Sequence, residues 1–243
     1  MTTNQHSDRT HVVLVPGFWL GAWAWEGVVP SLHAAGLTAH AVTLPGLADD
    51  ADDRRGLTLA DHVTAVRDLV DGLEGRVVLV GHSGGAPVVQ SVVDQRPDRI
   101  ARVVYVDAGP TRDGVALFPE RTDDVVDVPF PSDDELAAQQ LSTEGLDADA
   151  LGRLRARAVS EPAGVMASPV TLRDERRLAV PVTVVCTSLP STTLVELTAA
   201  QVLPTELPDV ADVEYVDLPT GHWPMLSRPA DLGSVLVAAA ERA

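Results

Sequence analysis

A serine framed by glycines stands at residues 81–85, where the sequence reads Gly-His-Ser-Gly-Gly. The apolar, β-branched run 77–80 precedes it, and the helix-compatible stretch 86–90 follows it. A G-x-S-x-G pattern between a strand and a helix holds the serine Oγ exposed on a strained turn, where it can attack a carbonyl carbon. Because the bare pattern also arises by chance, the flanking strand and helix carry the argument. We predict that Ser83 is a nucleophile.

Attack by a serine on a carbonyl group creates an oxyanion, which needs hydrogen-bond donors. Gly84 follows the serine at the start of the predicted helix, so its N–H can serve as one donor. Phe18 follows the first predicted strand, in the turn Pro16-Gly17-Phe18-Trp19, where a second donor is commonly found. We predict backbone N–H groups of Phe18 and Gly84 as the oxyanion donors, although a plain strand-to-helix connection would look the same at Phe18.

The nucleophile also needs a general base, and His222 is the candidate among seven histidines. It stands in the loop Gly221-His222-Trp223-Pro224, between a predicted strand and the last predicted helix, and it follows the serine in chain order. The other histidines lie in the N-terminal tail, in strand or helix patterns, or at the variable position of the serine turn: His6, His11, His33, His40, His62 and His82.

Three segments resemble motifs of the α/β-hydrolases: residues 16–25, the serine turn at 81–85, and residues 221–224. The chain resembles an α/β-hydrolase over essentially its whole length. Within that superfamily, it is similar to the small branch of plant methylesterases, hydroxynitrile lyases and their bacterial esterase relatives. Pro16 and Leu20 replace the two histidines of that branch's H-G-x-x-H-G-A-W-x-W motif. The resemblance implies a serine hydrolase that cleaves an ester-like bond through an acyl-enzyme.

The resemblance fails at the acid that would complete the triad. The family places an Asp near the position of Leu189, yet no carboxylate occurs between residues 180 and 194. Asp107 ends the strand predicted directly after the nucleophile helix, and neighbouring parallel strands lie about 4.8 Å apart. We therefore predict that Asp107 reaches His222, with a turn-forming role as its alternative. Glu196, inside a predicted helix, is the runner-up, and an acid-free Ser–His dyad stays open. Asp217 alternates with Tyr215 along a predicted strand and is expected to face solvent.

Strand patterns alternate with helical ones along the chain. The strands are predicted near residues 11–16, 38–44, 76–81, 101–107, 181–187 and 212–218. This rhythm predicts an α/β fold: a twisted parallel sheet of about six or more strands with helices on both faces. Ligands bind at the carboxyl edge of such sheets, where Ser83, Asp107 and His222 would meet.

The rhythm stops in an acidic, proline-containing stretch that is too long for a loop. Helix signals within it span 131–140 and 147–159, and its acidic runs, including Asp123 and Asp124, are interpreted as solvated faces. We predict three parts of the chain, which are a first core segment, a helical cap insertion (hereafter the cap segment) and a second core segment: 1–109, 110–179 and 180–243.

Composition limits the partners and cofactors. The net charge of −17 over 243 residues argues against nucleic acid or anionic membranes as partners. No apolar run is long enough to span a bilayer, and residues 1–10 lack a signal-peptide pattern, so we expect a cytoplasmic protein. No metal-ligand spacing occurs, so we predict no metal. All 18 basic residues are Arg, which excludes a lysine Schiff base and a Walker-A lysine, and we predict no cofactor. The single Cys186 is predicted to be a buried core residue.

We predict a small-molecule substrate and an apolar pocket formed by Trp19, Trp223 and Met225, which adjoin the reacting groups but could equally be core residues. A homodimer is one assembly open to the chain. Two rival functions stay open. One is a lyase that uses the same Ser–His base, although the related plant lyases use a lysine and this chain has none. The other is a non-catalytic ligand-binding homologue, which the missing Asp would favour.

Overall fold

The computed structural model of the protein describes residues 9–48, 53–120 and 125–243. Its main sheet contains six parallel strands in the order β2-β1-β3-β4-β7-β8, and two further strands, β5 and β6, form a short antiparallel ribbon. The strands are β1 (Thr10–Val15), β2 (Thr38–Ala41), β3 (Arg76–His82), β4 (Ile100–Val106), β5 (Asp127–Val128), β6 (Glu161–Pro162), β7 (Val182–Cys186) and β8 (Val213–Asp217).

Helices fill the connections between the strands. They are α1 (Val29–Ala34), α2 (Leu59–Asp71), α3 (Ala86–Gln95), α4 (Asp133–Ala138), α5 (Ala148–Arg157), α6 (Ala163–Ala167), α7 (Ser191–Ala199), α8 (Pro224–Ser227) and α9 (Pro229–Glu241). Sequence signals explain their starts. Thr58 and Ser132 each form a capping box with the carboxylate three residues later, and Pro at the first or second position opens α3, α8 and α9.

Both faces of the main sheet are covered, as the alternation of side chains along a strand requires. Val13 and Leu79 point to the face that packs against α2 and α3. Val12 and Val80 point to the opposite face, which packs against α1 and α9. The prediction of a parallel sheet with helices on both faces is therefore confirmed, and each of the six predicted strands overlaps an observed one.

Within its described residues, the cap segment contains α4, α5, α6, the β5–β6 ribbon and a short 3-10 helix (Glu175–Ala179). The two helix signals predicted at 131–140 and 147–159 correspond to α4 and α5. Asp123, Asp124 and the polar residues 1–8, which entered the predictions above, lie outside the described residues. Across the described part of the chain, no helix is both long and apolar enough to cross a membrane.

Strand register brings the candidate site residues to one edge of the sheet. His82 on β3 is paired with Val106 on β4, so Ser83 and Asp107 each directly follow the end of neighbouring strands. On the other side of β4, Val106 is paired with Val185 on β7. The segments that follow β3, β4 and β7 therefore begin side by side at this edge of the sheet.

Candidate active site

Ser83 sits in the turn between β3 and α3, with a backbone φ of 47°. This left-handed conformation is uncommon for a residue with a side chain and costs about 1–3 kcal/mol. It turns the chain sharply from strand to helix, and it directs Oγ toward the loop that carries His222, at 2.8 Å from the imidazole Nε2. The serine turn therefore has the geometry that its sequence pattern predicts.

His222 bridges Ser83 and Asp107. Its Nδ1 donates to Asp107 Oδ2 at 2.6 Å, and its Nε2 lies 2.8 Å from Ser83 Oγ. Because an ionised carboxylate can only accept hydrogen bonds, the Nδ1 atom carries the proton and Nε2 is left to accept the proton of Ser83. A neutral His222 is thus set in the tautomer that can act as a base toward the serine.

Asp107 also adopts a left-handed backbone, with φ of 46°, and its carboxylate is nearly enclosed. Ser188, just past the end of β7, donates its N–H to Oδ1 at 2.9 Å and its hydroxyl to Oδ2 at 2.8 Å. Burial alone would raise the pKa of Asp107. The hydrogen bond from His222, the attraction of the positive charge that His222 carries when protonated, and the N–H of Ser188 outweigh burial and hold the pKa well below its ordinary value. Asp107 is therefore ionised wherever the protein is folded near neutral pH.

The two alternative acids have other surroundings. Asp217 accepts the N–H and the hydroxyl of Ser191 at 2.7 and 2.6 Å, where it caps the start of α7, and it is exposed. Glu196 is exposed on α7. Neither residue shares a hydrogen bond with His222 in the described part of the chain, whereas Asp107 does.

The main chain of His222 is held from two sides. Its N–H donates to the Ser142 carbonyl of the cap segment at 2.7 Å, and the preceding Gly221 N–H donates to the Glu144 carbonyl at 2.9 Å. On the other side, the His222 carbonyl accepts a hydrogen bond from His82 Nε2 at 2.7 Å. Burial and the neighbouring His222 lower the pKa of His82 to about 3, so His82 stays neutral. Sequence reasoning treated His82 as a variable position and missed this contact, as it missed Ser188.

The loop with the predicted oxyanion donor packs directly on the serine turn. The Phe18 ring covers Gly84, where an added Cβ would lie 2.5 Å from Phe18 Cγ. An added Cβ on Gly17 would lie 2.8 Å from His82 Nδ1 and 3.0 Å from Ser83 Cβ, so glycine is needed for the two turns to approach. Gly84 lies in the first turn of the helical segment, whose N–H groups have no partner within the helix. The structure therefore brings Phe18 and Gly84 together beside Ser83.

A cavity of about 440 Å³ opens beside Ser83 and Asp107. Its wall is mostly aliphatic. Besides Ser83 and Asp107, the polar side chains in the wall are Thr111 and Thr205. The apolar lining comes from α3, from α7 and the chain after it, and from the first residues of the cap segment: Ala86, Pro87, Leu194, Leu203, Pro204, Leu207, Val115, Ala116 and Leu117.

The predicted pocket residues need correction, because Trp19, Trp223 and Met225 do not line this cavity. Trp223 and Met225 are 2% and 1% exposed and belong to the core under α1 and α9. Trp19 packs with Phe18 and Phe130 beneath the cap segment. Residues that are adjacent in sequence direct their side chains differently. The position of these three residues next to predicted site residues therefore did not place them in the cavity.

The described residues contain no cluster of three or more side chains suited to hold a metal ion. The site holds a hydroxyl, an imidazole and an ionised carboxylate in line, with backbone N–H groups beside them. Such a set can deprotonate a serine and stabilise an oxyanion.

Comparison with known proteins places this geometry in a family. The profile of the Alpha/beta hydrolase family matches residues 12–234. The chain belongs to that family. Esterase PIR7B of Oryza sativa subsp. japonica is 35% identical over 108 residues, which cover 42% of this chain and 40% of that protein. Methylesterase 8 of Arabidopsis thaliana is 38% identical over 104 residues, covering 40% of this chain and 37% of that protein.

The matched stretches span less than half the length of these curated relatives. A solved structure of a methylesterase protein from Arabidopsis superimposes with a TM-score of 0.73 at 20% identity, covering 96% of this chain and 99% of that chain. At that identity the likeness concerns the fold alone, and it extends over nearly the whole length of both chains.

Proposed function

We propose that the protein is a serine esterase that hydrolyses small, largely apolar esters through an acyl-enzyme. The observation that supports this most is the pair of hydrogen bonds, 2.6 and 2.8 Å long, that joins Asp107, His222 and Ser83. The similarity to methylesterases and an esterase supports the same reaction class.

In the first step, His222 Nε2 takes the proton of Ser83 while Oγ bonds to the carbonyl carbon of the ester. The electron pair of the C=O double bond moves to oxygen, where the N–H groups of Phe18 and Gly84 stabilise it. The tetrahedral intermediate collapses, the bond to the alcohol oxygen breaks, and His222 protonates the leaving alkoxide. Asp107 stabilises the imidazolium between these transfers.

In the second step, His222 removes a proton from water, and the hydroxide oxygen attacks the acyl carbon. The second tetrahedral intermediate expels Ser83 Oγ, which recovers its proton from His222. Among the described residues, those that line the cavity include no cationic side chain to pair with a negatively charged acyl group, so we expect esters of neutral acyl groups to be preferred.

A fluorophosphonate probe followed by peptide mapping tests the proposal. We expect labelling at Ser83 in the wild-type protein and no labelling in Ser83→Ala or His222→Ala. A burst of p-nitrophenol from a short acyl ester would separate an acyl-enzyme from a lyase that uses the same base. A folded wild-type protein that stays unlabelled would overturn the proposal in favour of a non-catalytic binding protein.

A further inference from the structure

Glu161, the first residue of β6, is a carboxyl group inside the protein to which the mechanism gives no role. It is 0% exposed. Its Oε2 accepts the N–H of Trp19 at 2.8 Å, and its Oε1 is buried without a hydrogen-bond partner in the described part of the chain. Burying a carboxyl group with one bare oxygen costs stability that an apolar residue of the same size would not cost. A specific contact must therefore account for this residue. Among the described residues, the one hydrogen bond that it accepts comes from Trp19, in the loop 17–20 that contains the predicted donor Phe18.

That loop is a tight turn with a demanding backbone. Leu20 N–H donates to the Gly17 carbonyl at 3.3 Å, which closes the turn 17–20. Trp19, the third residue, has a φ of 66°, a conformation for which such turns usually carry glycine. A bulky residue keeps this conformation only if its surroundings hold it there.

Trp19 is held at three points, and all three lie in the cap segment. Its N–H donates to Glu161 at 2.8 Å, its carbonyl accepts the Val159 N–H at 3.0 Å, and its indole N–H donates to the Val128 carbonyl at 3.0 Å. Glu161 is the single side chain among these partners. A substitution can remove this contact while both main-chain contacts stay.

The turn sets the direction of the Phe18 N–H. In a planar trans peptide, the C=O and the N–H point in opposite directions. Because the Gly17 carbonyl faces Leu20 on the inside of the turn, the Phe18 N–H faces outward from it. The Phe18 ring covers Gly84, so this turn and the serine turn are in contact. Release of Trp19 would let the turn relax toward negative φ and rotate this N–H.

We propose that Glu161 is a positioning residue for the oxyanion donor: by holding the Trp19 N–H, it keeps the 17–20 turn in the conformation that aims the Phe18 N–H at the substrate oxygen. This inference rests on the proposed function, because the donor role of Phe18 belongs to it.

The charge state of Glu161 fits this role. Burial raises the pKa of Glu161 to about 8, although the Trp19 N–H and the charge of Arg54 lower it. Arg54 is the charged group that acts on Glu161, and Arg54 itself lies 3.5 Å from Asp127. A neutral acid near pH 7 adds no negative charge beside a developing oxyanion. A glutamine has the same shape, the same acceptor and no charge, so it should replace Glu161 in function.

The test compares Glu161→Gln, which keeps the acceptor, with Glu161→Met, which removes it at similar volume. The readouts are kcat and KM for a short p-nitrophenyl ester at pH 7 and the affinity for an alkyl boronic acid, whose tetrahedral adduct occupies the oxyanion site. We expect Glu161→Gln to keep kcat within about threefold. Glu161→Met should lower kcat by about 10²–10³-fold, the cost of a lost oxyanion donor. Its KM should change little, and its boronate affinity should fall with kcat.

A matched control is Asp94→Asn, at the end of α3. Asp94 is also a buried carboxyl that accepts backbone N–H groups, those of Arg173 and Asp174 at 2.8 and 2.9 Å, but it lies away from the serine turn. This variant should lower Tm and leave kcat unchanged, which separates lost stability from lost positioning. If Glu161→Met does not fold, Glu161→Asp withdraws the acceptor by one methylene and should lower kcat about tenfold.

Wild-type kcat in a folded Glu161→Met, or in Glu161→Asp where the former does not fold, would overturn the inference. So would a loss of kcat in Glu161→Gln as large as in Glu161→Met. Fluorophosphonate labelling of the wild-type Ser83 distinguishes the two levels of the account. If the wild type is labelled and the Glu161 variants keep full kcat, the positioning role alone is wrong. If the wild type is not labelled, the proposed function fails.

Discussion

The carboxyl edge of the main sheet and the cap segment contribute to the candidate site in different ways. The sheet edge supplies Ser83 and Asp107, each directly after a strand whose register is fixed by its neighbours. The cap segment supplies contacts from behind, through the Ser142 carbonyl to the His222 loop and through Glu161 to the Trp19 turn. The edge carries the proposed reacting groups, and the cap segment contacts the loops on either side of them.

The two regions also differ in how firmly their residues are held. A strand end is tied by a continuous ladder of hydrogen bonds, whereas each of the two loops depends on a few contacts with the cap segment. Substitutions at the edge should therefore remove chemistry from an intact fold. Substitutions at the cap contacts should misplace groups that are still present, with smaller losses of rate.

The largest effect is expected at the edge, from Ser83→Ala. Removal of a triad serine costs about 10⁶-fold in kcat in the subtilisin example, and we expect a loss on that scale, measured with a short acyl ester. The Tm should be unchanged or slightly higher, because replacing the Ser83 hydroxyl by hydrogen removes no contact within the hydrophobic core. Residual turnover within about tenfold of the wild type would mean that the edge does not carry the nucleophile.

The next effect is expected from Asp107→Asn, which keeps the shape of the acid and removes its charge. Loss of the orienting carboxylate costs about 10⁴-fold in kcat in the Ser-His-Asp example, because the imidazole adopts the wrong tautomer. Asp217→Asn and Glu196→Gln are matched controls on exposed carboxylates and should change kcat by less than about tenfold. An equal loss in Asp217→Asn would contradict the assignment.

A contact of the cap segment gives a smaller loss. Gly221→Ala places a Cβ 2.4 Å from the Ser142 carbonyl oxygen and 2.7 Å from the Glu144 N, so the loop with His222 must shift. A misplacement of about 1 Å costs roughly 10²-fold in rate, and we expect kcat to fall on that scale. The control is Gly152→Ala on α5, where an added Cβ meets nothing within 4 Å. It should leave kcat unchanged and stabilise the fold by about 0.5–1 kcal/mol. Unchanged kcat in Gly221→Ala would show that the cap segment does not position the base.

Glu161→Gln is expected to have the smallest effect on activity, but it should change how the free energy of unfolding depends on pH. The pKa of Glu161 is raised from 4.5 to about 8 in the folded protein, so the folded state keeps a proton that the unfolded state loses. The wild-type free energy of unfolding should fall as pH rises from about 4.5 to 8, by up to about 1.4 kcal/mol per pH unit from this group. Glutamine does not titrate.

The stability advantage of Glu161→Gln over the wild type should therefore grow between pH 5 and pH 8. Urea unfolding of both proteins at these two pH values measures it, since all other groups titrate alike in both. An advantage that does not change with pH would show that Glu161 is ionised in the folded state.

Much of the sheet edge could be predicted from the sequence, because period-two patterns and turn residues define strand ends. Asp107 could be predicted from the same logic, since adjacent parallel strands end side by side. The contacts made by Ser188, His82 and Glu161 could not, because they join segments far apart in the chain by single hydrogen bonds. The pocket prediction was wrong for Trp223 and Met225, since a residue's place beside His222 in sequence does not set the direction of its side chain.

In the proposed triad, Asp107, at the end of β4, holds the Nδ1 proton of His222. Proton NMR of protein with ¹⁵N-labelled histidine tests it most directly, because a short hydrogen bond to a carboxylate shifts an imidazole N–H strongly downfield. The resonance is assigned to His222 by its loss in His222→Gln. We expect it in the wild type, in Ser83→Ala and in Asp217→Asn, and we expect it to disappear or move far upfield in Asp107→Asn. A His222 resonance that persists unchanged in Asp107→Asn would contradict the account.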